Sequence, residues 1–64
     1  MELVTSIENL ETDLLFYLEM GDLSGAEGKE QEALEFYMNG LKRAKELHDK
    51  ARIQQFSNLI YTYL

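Results

Sequence analysis

Residues 30–47, EQEALEFYMNGLKRAKEL, carry the clearest structural signal in this 64-residue chain. Small and apolar residues recur along this stretch, and just beyond it, in alternating steps of four and three. That spacing lines one face of an α-helix. The members of this stripe are Ala33, Tyr37, Gly40, Ala44, Leu47 and Ala51. Acidic residues dominate the front half and basic residues the back half, which complements the helix dipole. We predict helix 2 at about residues 29–47.

A second helical stripe precedes this segment. It consists of Leu3, Ile7, Leu10, Leu14, Tyr17 and Gly21. Gly21, Gly25 and Gly28 then fall within eight residues. Each glycine costs about 1 kcal/mol in a helix interior relative to alanine. We therefore predict helix 1 at about residues 3–20, with a turn directly after Met20.

The end of the chain carries a third stripe, made of Ile53, Phe56, Leu59, Ile60 and Tyr63. It is out of phase with the second stripe, which predicts a turn between His48 and Lys50 and helix 3 at about residues 50–63. No Gly or Pro marks this turn, so a continuous bent helix is the alternative. The three stripes together predict a single all-α domain over residues 1–64, folded as an antiparallel three-helix bundle.

Composition excludes several classes of function. Twelve acidic residues against six basic ones give a net charge of −6, which opposes direct binding to nucleic acid. The chain has no cysteine, hence no disulfide and no thiolate zinc site. Its longest apolar run, Leu14 to Leu18, is far short of a membrane span. No basic-then-apolar leader opens the chain. We expect a cytoplasmic protein without nucleic-acid or membrane partners.

Catalytic and metal-binding patterns are missing from the sequence. His48 is the sole histidine, and its neighbour Asp49 would not face it on a helix. The carboxylate pairs Glu8/Glu11 and Glu32/Glu35 share a helix face, but no Glu-x-x-His element accompanies them, as a metal site in a bundle normally requires. We expect no enzymatic activity, no catalytic residue, no cofactor and no metal.

The segment 32–44, EALEFYMNGLKRA, resembles the second helix of a tetratricopeptide repeat (TPR). That family places a small residue, an aromatic four positions on, and another small residue three further. Ala33, Tyr37 and Gly40 supply them. In one alignment of the preceding helix, Tyr17, Met20 and Gly21 match the first aromatic and its Leu-Gly pair. In the other, which we favour, Gly21 is the turn glycine.

The resemblance covers about residues 10–64, or one and a half repeats. The microtubule-interacting-and-transport (MIT) domain, a TPR-like three-helix bundle, has a similar second helix and is the close alternative. TPR arrays need about three repeats to bury a continuous core. This chain must therefore close as a three-helix bundle, assemble with copies of itself, or complete itself on a partner.

Two groups of apolar residues exceed what a small bundle can bury. Residues 14–18, LLFYL, cover every side of a helix turn, so at least one of Leu15, Phe16 and Leu18 should remain outside. The final residues, LIYTYL, repeat the excess. Surplus apolar surface on a small domain favours association. We expect a homo-oligomer or a chain that binds another protein.

The TPR-like resemblance implies that helices 1 and 3 line a groove for a partner segment. The expected partner-binding residues are Glu8, Glu11, Leu15, Leu18, Glu19, Arg52, Gln55, Leu59 and Tyr63. Carboxylates beside leucines point to a protein or peptide with basic and apolar side chains. We expect a non-enzymatic protein–protein interaction module that acts as a small adaptor or regulator. The alternative is an acidic antagonist, including a nucleic-acid mimic, that occupies a surface of a larger regulatory protein.

Overall fold

The chain folds into three α-helices in a computed structural model that describes the backbone of residues 2–64 and the side chains of residues 13–64. The helices are α1 (Glu2–Ala26), α2 (Glu30–Glu46) and α3 (Lys50–Tyr63). No strand occurs among residues 2–64. The predicted all-α three-helix bundle is confirmed, and α2 and α3 begin and end within one residue of their predicted bounds.

The helices run antiparallel along the chain, with α2 packed against both neighbours. Asp13 of α1 lies near Arg43 at the end of α2, whereas Gly25 lies beside Ala33 at its start. Three-residue turns join the helices, and such short connections place consecutive helices side by side. The Cα extents of 40 × 21 × 13 Å describe a flat arrangement. One broad side of α1 and α2 therefore remains free of α3.

The core follows the predicted stripes. The buried apolar residues are Leu14, Ala33, Tyr37, Ala44 and Phe56. Gly21 and Gly40 are buried beside them. Tyr37 and Phe56 are the two largest fully buried side chains among residues 13–64. Each would contribute about 1.5–3 kcal/mol through removal of its apolar surface from water, so these two rings hold much of the hydrophobic stabilisation.

The predicted end of helix 1 is wrong. Helix α1 continues through Gly21 and Gly25 to Ala26, six residues beyond the expected turn after Met20. Both glycines lie where aromatic groups from other helices approach the α1 backbone. Burial of a ring outweighs the helix-propensity cost of a glycine, about 1 kcal/mol. The TPR alignment that makes Gly21 a turn residue is therefore excluded, while the family resemblance itself stays a prediction.

Both turns use one hydrogen-bonding pattern. In the first, Gly28 N–H donates to the Gly25 carbonyl (3.0 Å) and Lys29 N–H donates to the Ser24 carbonyl (2.9 Å). This pair of bonds is the Schellman motif, whose closing residue takes a left-handed conformation. Gly28 has φ 82°, which glycine adopts without steric cost.

The second turn, between α2 and α3, repeats the pattern without a glycine. His48 N–H donates to the Lys45 carbonyl (3.1 Å) and Asp49 N–H donates to the Ala44 carbonyl (3.0 Å). His48 takes the left-handed position at φ 56°. Asp49 then caps α3, because its carboxylate accepts a hydrogen bond from Arg52 N–H. The predicted turn at residues 48–50 is confirmed, and the continuous bent helix is excluded.

Candidate partner-binding surface

Three aromatic rings, one from α2 and two from α3, meet where these two helices pack together. The ring centroid of Tyr37 lies 6.4 Å from that of Phe56 and 6.0 Å from that of Tyr63. These separations are within the range at which aromatic pairs attract. The rings therefore bind α3 to α2 at two successive levels.

Glycines make room for these aromatic groups. The Tyr37 ring lies against Gly21, the Tyr63 hydroxyl against Gly25, and the Phe56 ring against Gly40. A Cβ atom built on Gly40 would lie 2.5 Å from two carbons of the Phe56 ring, closer than packed atoms allow. A Cβ atom on Gly21 would likewise clash with the buried ring of Tyr37, so Gly21 and Gly40 require glycine for the observed packing. At Gly25 the clash is with the terminal hydroxyl of half-buried Tyr63, which a movement of that side chain can relieve.

The hydroxyl of Tyr37 is a polar group on a core side chain. It donates a hydrogen bond to the Asp22 carboxylate. Burial, followed by the hydrogen bond and charge of Asp22 and the nearby Tyr63, raises the pKa of Tyr37 well above its usual range. A group that holds its proton this firmly is a poor acid catalyst. The geometry gives Tyr37 a structural role.

The α1–α3 surface, defined by the expected partner-binding residues, is partly built into the core. Leu18, Leu59 and Tyr63 pack against the buried cluster, whereas Leu15, Glu19 and Gln55 are exposed. Half-buried Arg52 donates a hydrogen bond to the Gln55 side chain (2.7 Å). The side chains of Glu8 and Glu11 lie outside the described residues. Leu15, Glu19, Arg52 and Gln55 therefore remain the groups of this set that a partner would reach most directly.

A second apolar surface lies across α1 and α2. Phe16 is 52% exposed, and its ring and that of Phe36 are nearly perpendicular, with centroids 6.3 Å apart. Met20 and Leu23 follow Phe16 at the helical spacing that places them on the same side of α1; Leu23 is 54% exposed. We call these four residues the phenyl face. The exposed residue expected among Leu15, Phe16 and Leu18 is confirmed, since both Leu15 and Phe16 are exposed. The place of Phe36 was not predicted: the spacing of Phe16 and Leu23 indicates an apolar face on α1, which needs an apolar neighbour on another helix.

Carboxylates surround the phenyl face. Asp13 and Glu19 lie within one turn of Phe16 on α1, and Glu32 and Glu35 lie within one turn of Phe36 on α2; all four are exposed. The guanidinium of Arg43 lies 3.9 Å from Asp13 and 3.2 Å from Glu46. The rim of this apolar face therefore carries an excess of negative charge.

The side chains of residues 13–64 form no cluster of metal ligands, since no three His, Asp or Glu residues are grouped in that range. Among the described residues, no helix is long and apolar enough to cross a membrane. Comparisons with protein-family models, with curated proteins and with solved structures find no match to this chain. A functional proposal therefore depends on the surfaces themselves.

Proposed function

We propose that this chain is a non-enzymatic, cytoplasmic protein–protein interaction module, a small TPR-like adaptor or regulator. The observation that carries the proposal is the exposure of large apolar side chains on a domain with so small a core. Leu15, Phe16 and Leu23 are exposed on α1, and Tyr61 and Leu64 on or after α3. Soluble monomers rarely leave large contiguous apolar patches uncovered.

The charge of α1 supports a partner that is basic as well as apolar. Residues 1–28 contain seven acidic residues and no basic residue. One of them, the exposed Glu19, lies one helical turn from Leu15. A partner with Lys or Arg next to apolar side chains would complement this surface, and opposite charge would accelerate the encounter.

The α1–α3 surface has a direct test that starts without a known partner. A random peptide library displayed on phage is selected against the immobilised protein, and selected peptides are expected to combine Lys or Arg with apolar residues. Leu15→Ser should weaken their binding, because it removes an exposed apolar contact from the α1–α3 surface. Leu15 lies outside the buried core, so the fold should be retained. Thr62→Ser, a change at an exposed residue of α3, is the matched control. Selection of acidic peptides, or of none, would contradict the proposal.

Self-association is the second mode of interaction in this proposal. It is supported by Tyr61 and Leu64, which are 79% and 84% exposed. Light scattering after size-exclusion chromatography, over a range of protein and salt concentrations, measures the absolute mass. An oligomer that dissociates in Tyr61→Ser would place the contact on α3. A monomer at every concentration would leave partner binding as the sole mode.

A further inference from the structure

We infer that the phenyl face is a docking site for an amphipathic helix of another protein that carries Lys or Arg beside its apolar stripe. This inference rests on the proposed function, that of an interaction module. It adds a second binding site, distinct from the α1–α3 surface, and it specifies the conformation of the segment bound there.

The shape of the phenyl face fits a helix. Phe16 and Leu23 are seven residues apart, which is about 10 Å along an α-helix. A partner helix with apolar residues at positions i, i+4 and i+7 presents contacts over the same length. The Phe16–Phe36 ring contact bridges α1 and α2, so the apolar surface lies over the groove between two antiparallel helices. A third helix commonly occupies such a groove through side chains that interdigitate.

The charges around the face select the partner. Asp13, Glu19, Glu32 and Glu35 are exposed within one turn of the two phenyl rings. Two described cations, Lys29 and Arg43, lie seven residues before and after Phe36. Each already lies beside carboxylates, Lys29 beside Glu27 and Arg43 beside Asp13 and Glu46. A helix flanked by Lys or Arg would find opposite charge on both sides of its apolar stripe, which favours association and suppresses acidic partners.

The same charges disfavour a second copy of this chain on the phenyl face. A copy carries net charge −6 and would bring its own acidic rim against the first. Like charges brought together in an interface cost several kcal/mol unless they are paired. The basic amphipathic helix is therefore the occupant that the surface favours.

The test uses a synthetic peptide of about 15 residues, long enough for a helix that forms on binding. Leucines occupy one stripe and lysines flank it; the control peptide has glutamate at every lysine position. Binding to the full chain is measured by isothermal titration calorimetry. The lysine peptide should bind at least about tenfold more tightly than the glutamate peptide, a difference of about 1.4 kcal/mol.

Variants locate the bound peptide. Phe16→Ser should weaken binding by at least about tenfold, as expected for a central aromatic contact. Glu19→Lys combined with Glu32→Lys should remove the preference for the lysine peptide, because Glu19 and Glu32 lie one helical turn from Phe16 and Phe36. Met38→Ser, which removes an apolar residue of α2 that is 51% exposed and lies outside the phenyl face, should change affinity by less than about twofold. Circular dichroism confirms that each variant retains its helices.

Other outcomes would overturn the inference and would identify where it fails. Equal affinity of native protein and Phe16→Ser for the lysine peptide would exclude the phenyl face. If Leu15→Ser abolished peptide binding and Phe16→Ser did not, the proposed function would stand and the site would be the α1–α3 surface. An oligomer that Phe16→Ser converts to a monomer would show that a second copy covers the face. Absence of binding by either peptide would refute the docking site, while library selection would still test the proposed function.

Discussion

The α1–α2 hairpin and the α2–α3 hairpin share two structural features and differ in one polar contact. In both, a ring lies against a glycine: Tyr37 against Gly21, and Phe56 against Gly40. In both, a Schellman turn of three residues joins the helices. The first hairpin adds a hydroxyl bonded to Asp22, whereas the second has no such polar contact on Phe56.

Each turn has one favourable residue that the other turn lacks, either a glycine at the left-handed position or a side chain that caps the next helix. The first has glycine at the left-handed position, but Lys29 at the start of α2 makes no side-chain capping bond. The second has a capping carboxylate at Asp49, but His48 occupies the left-handed position. Each turn is thus one substitution away from the best residue for both roles. Equivalent backbone geometry is reached with different residues, so the geometry is imposed by the packing of the helices that the turns connect.

The largest expected effect on stability comes from adding a methyl group to a glycine that contacts an aromatic ring. In Gly21→Ala and Gly40→Ala the ring must move in a tightly packed core, which costs about 1–3 kcal/mol, whereas alanine gains about 1 kcal/mol in helix propensity. Each variant should therefore lower the free energy of unfolding by up to about 2 kcal/mol. Urea denaturation followed by circular dichroism measures this change. Asn39→Ala, at an exposed position beside Gly40, is the control and should change stability by about 0.5 kcal/mol or less. If one glycine variant were as stable as the native chain, the two hairpins would differ in how freely their rings move.

Removal of the Tyr37 hydroxyl should change how the stability of the protein depends on pH. Tyr37→Phe should lose about 1 kcal/mol of stability near neutral pH, a typical value for one hydrogen bond. The raised pKa of Tyr37 means that the native chain keeps this proton where the unfolded chain releases it. Native stability should therefore fall as pH rises above about 10, the ordinary tyrosine pKa.

Chemical denaturation between neutral and alkaline pH measures this difference. Tyr37→Phe should lose less stability than the native chain over the same interval, because it has no proton to release at this position. Tyr61→Phe, at an exposed site, should follow the native pH dependence. Parallel curves for the native chain and Tyr37→Phe would mean that another group controls the alkaline transition.

The smallest effects are expected at the turns, and they should be stabilising. His48→Gly should raise the free energy of unfolding by about 1 kcal/mol, because glycine tolerates the left-handed conformation. Lys29→Asp should add about 0.5 kcal/mol by capping α2; the exposed Lys29–Glu27 ion pair that it removes contributes little. Thermal unfolding of each variant measures the gain. Gly28→Ala should have the opposite sign, and a loss of stability in His48→Gly would show that the imidazole makes a contact that outweighs backbone strain.

These comparisons show which parts of the fold local sequence rules could predict. The α2 bounds followed from its periodic stripe and its charge order, and α3 followed from the change of phase before it. The end of α1 could not be predicted in this way, because Gly21 and Gly25 are retained in a helix by aromatic groups far away in sequence. Helix propensity is a local property and does not register the distant Tyr37 and Tyr63.

The candidate surfaces were predictable to a similar degree. Exposure within residues 15–18 followed from the limited area of a small bundle. Which apolar residues are buried and which are exposed could not be predicted. Leu18 and Tyr63 pack against the core, whereas Phe16 is exposed and contacts Phe36 on the next helix. Which of several neighbouring apolar residues faces outward depends on the angle at which two helices cross, and a stripe on one helix does not contain that angle.

The order of contacts along the chain has a consequence for folding kinetics. Because α2 packs against the helix before it and the helix after it, most native contacts form between segments that are adjacent in sequence. Proteins rich in such local contacts fold within microseconds to milliseconds. Either hairpin can form first and serve as the template for the remaining helix. The approach of Tyr63 to Gly25, which joins the last helix to the first, would then be among the last contacts to form and the first to open.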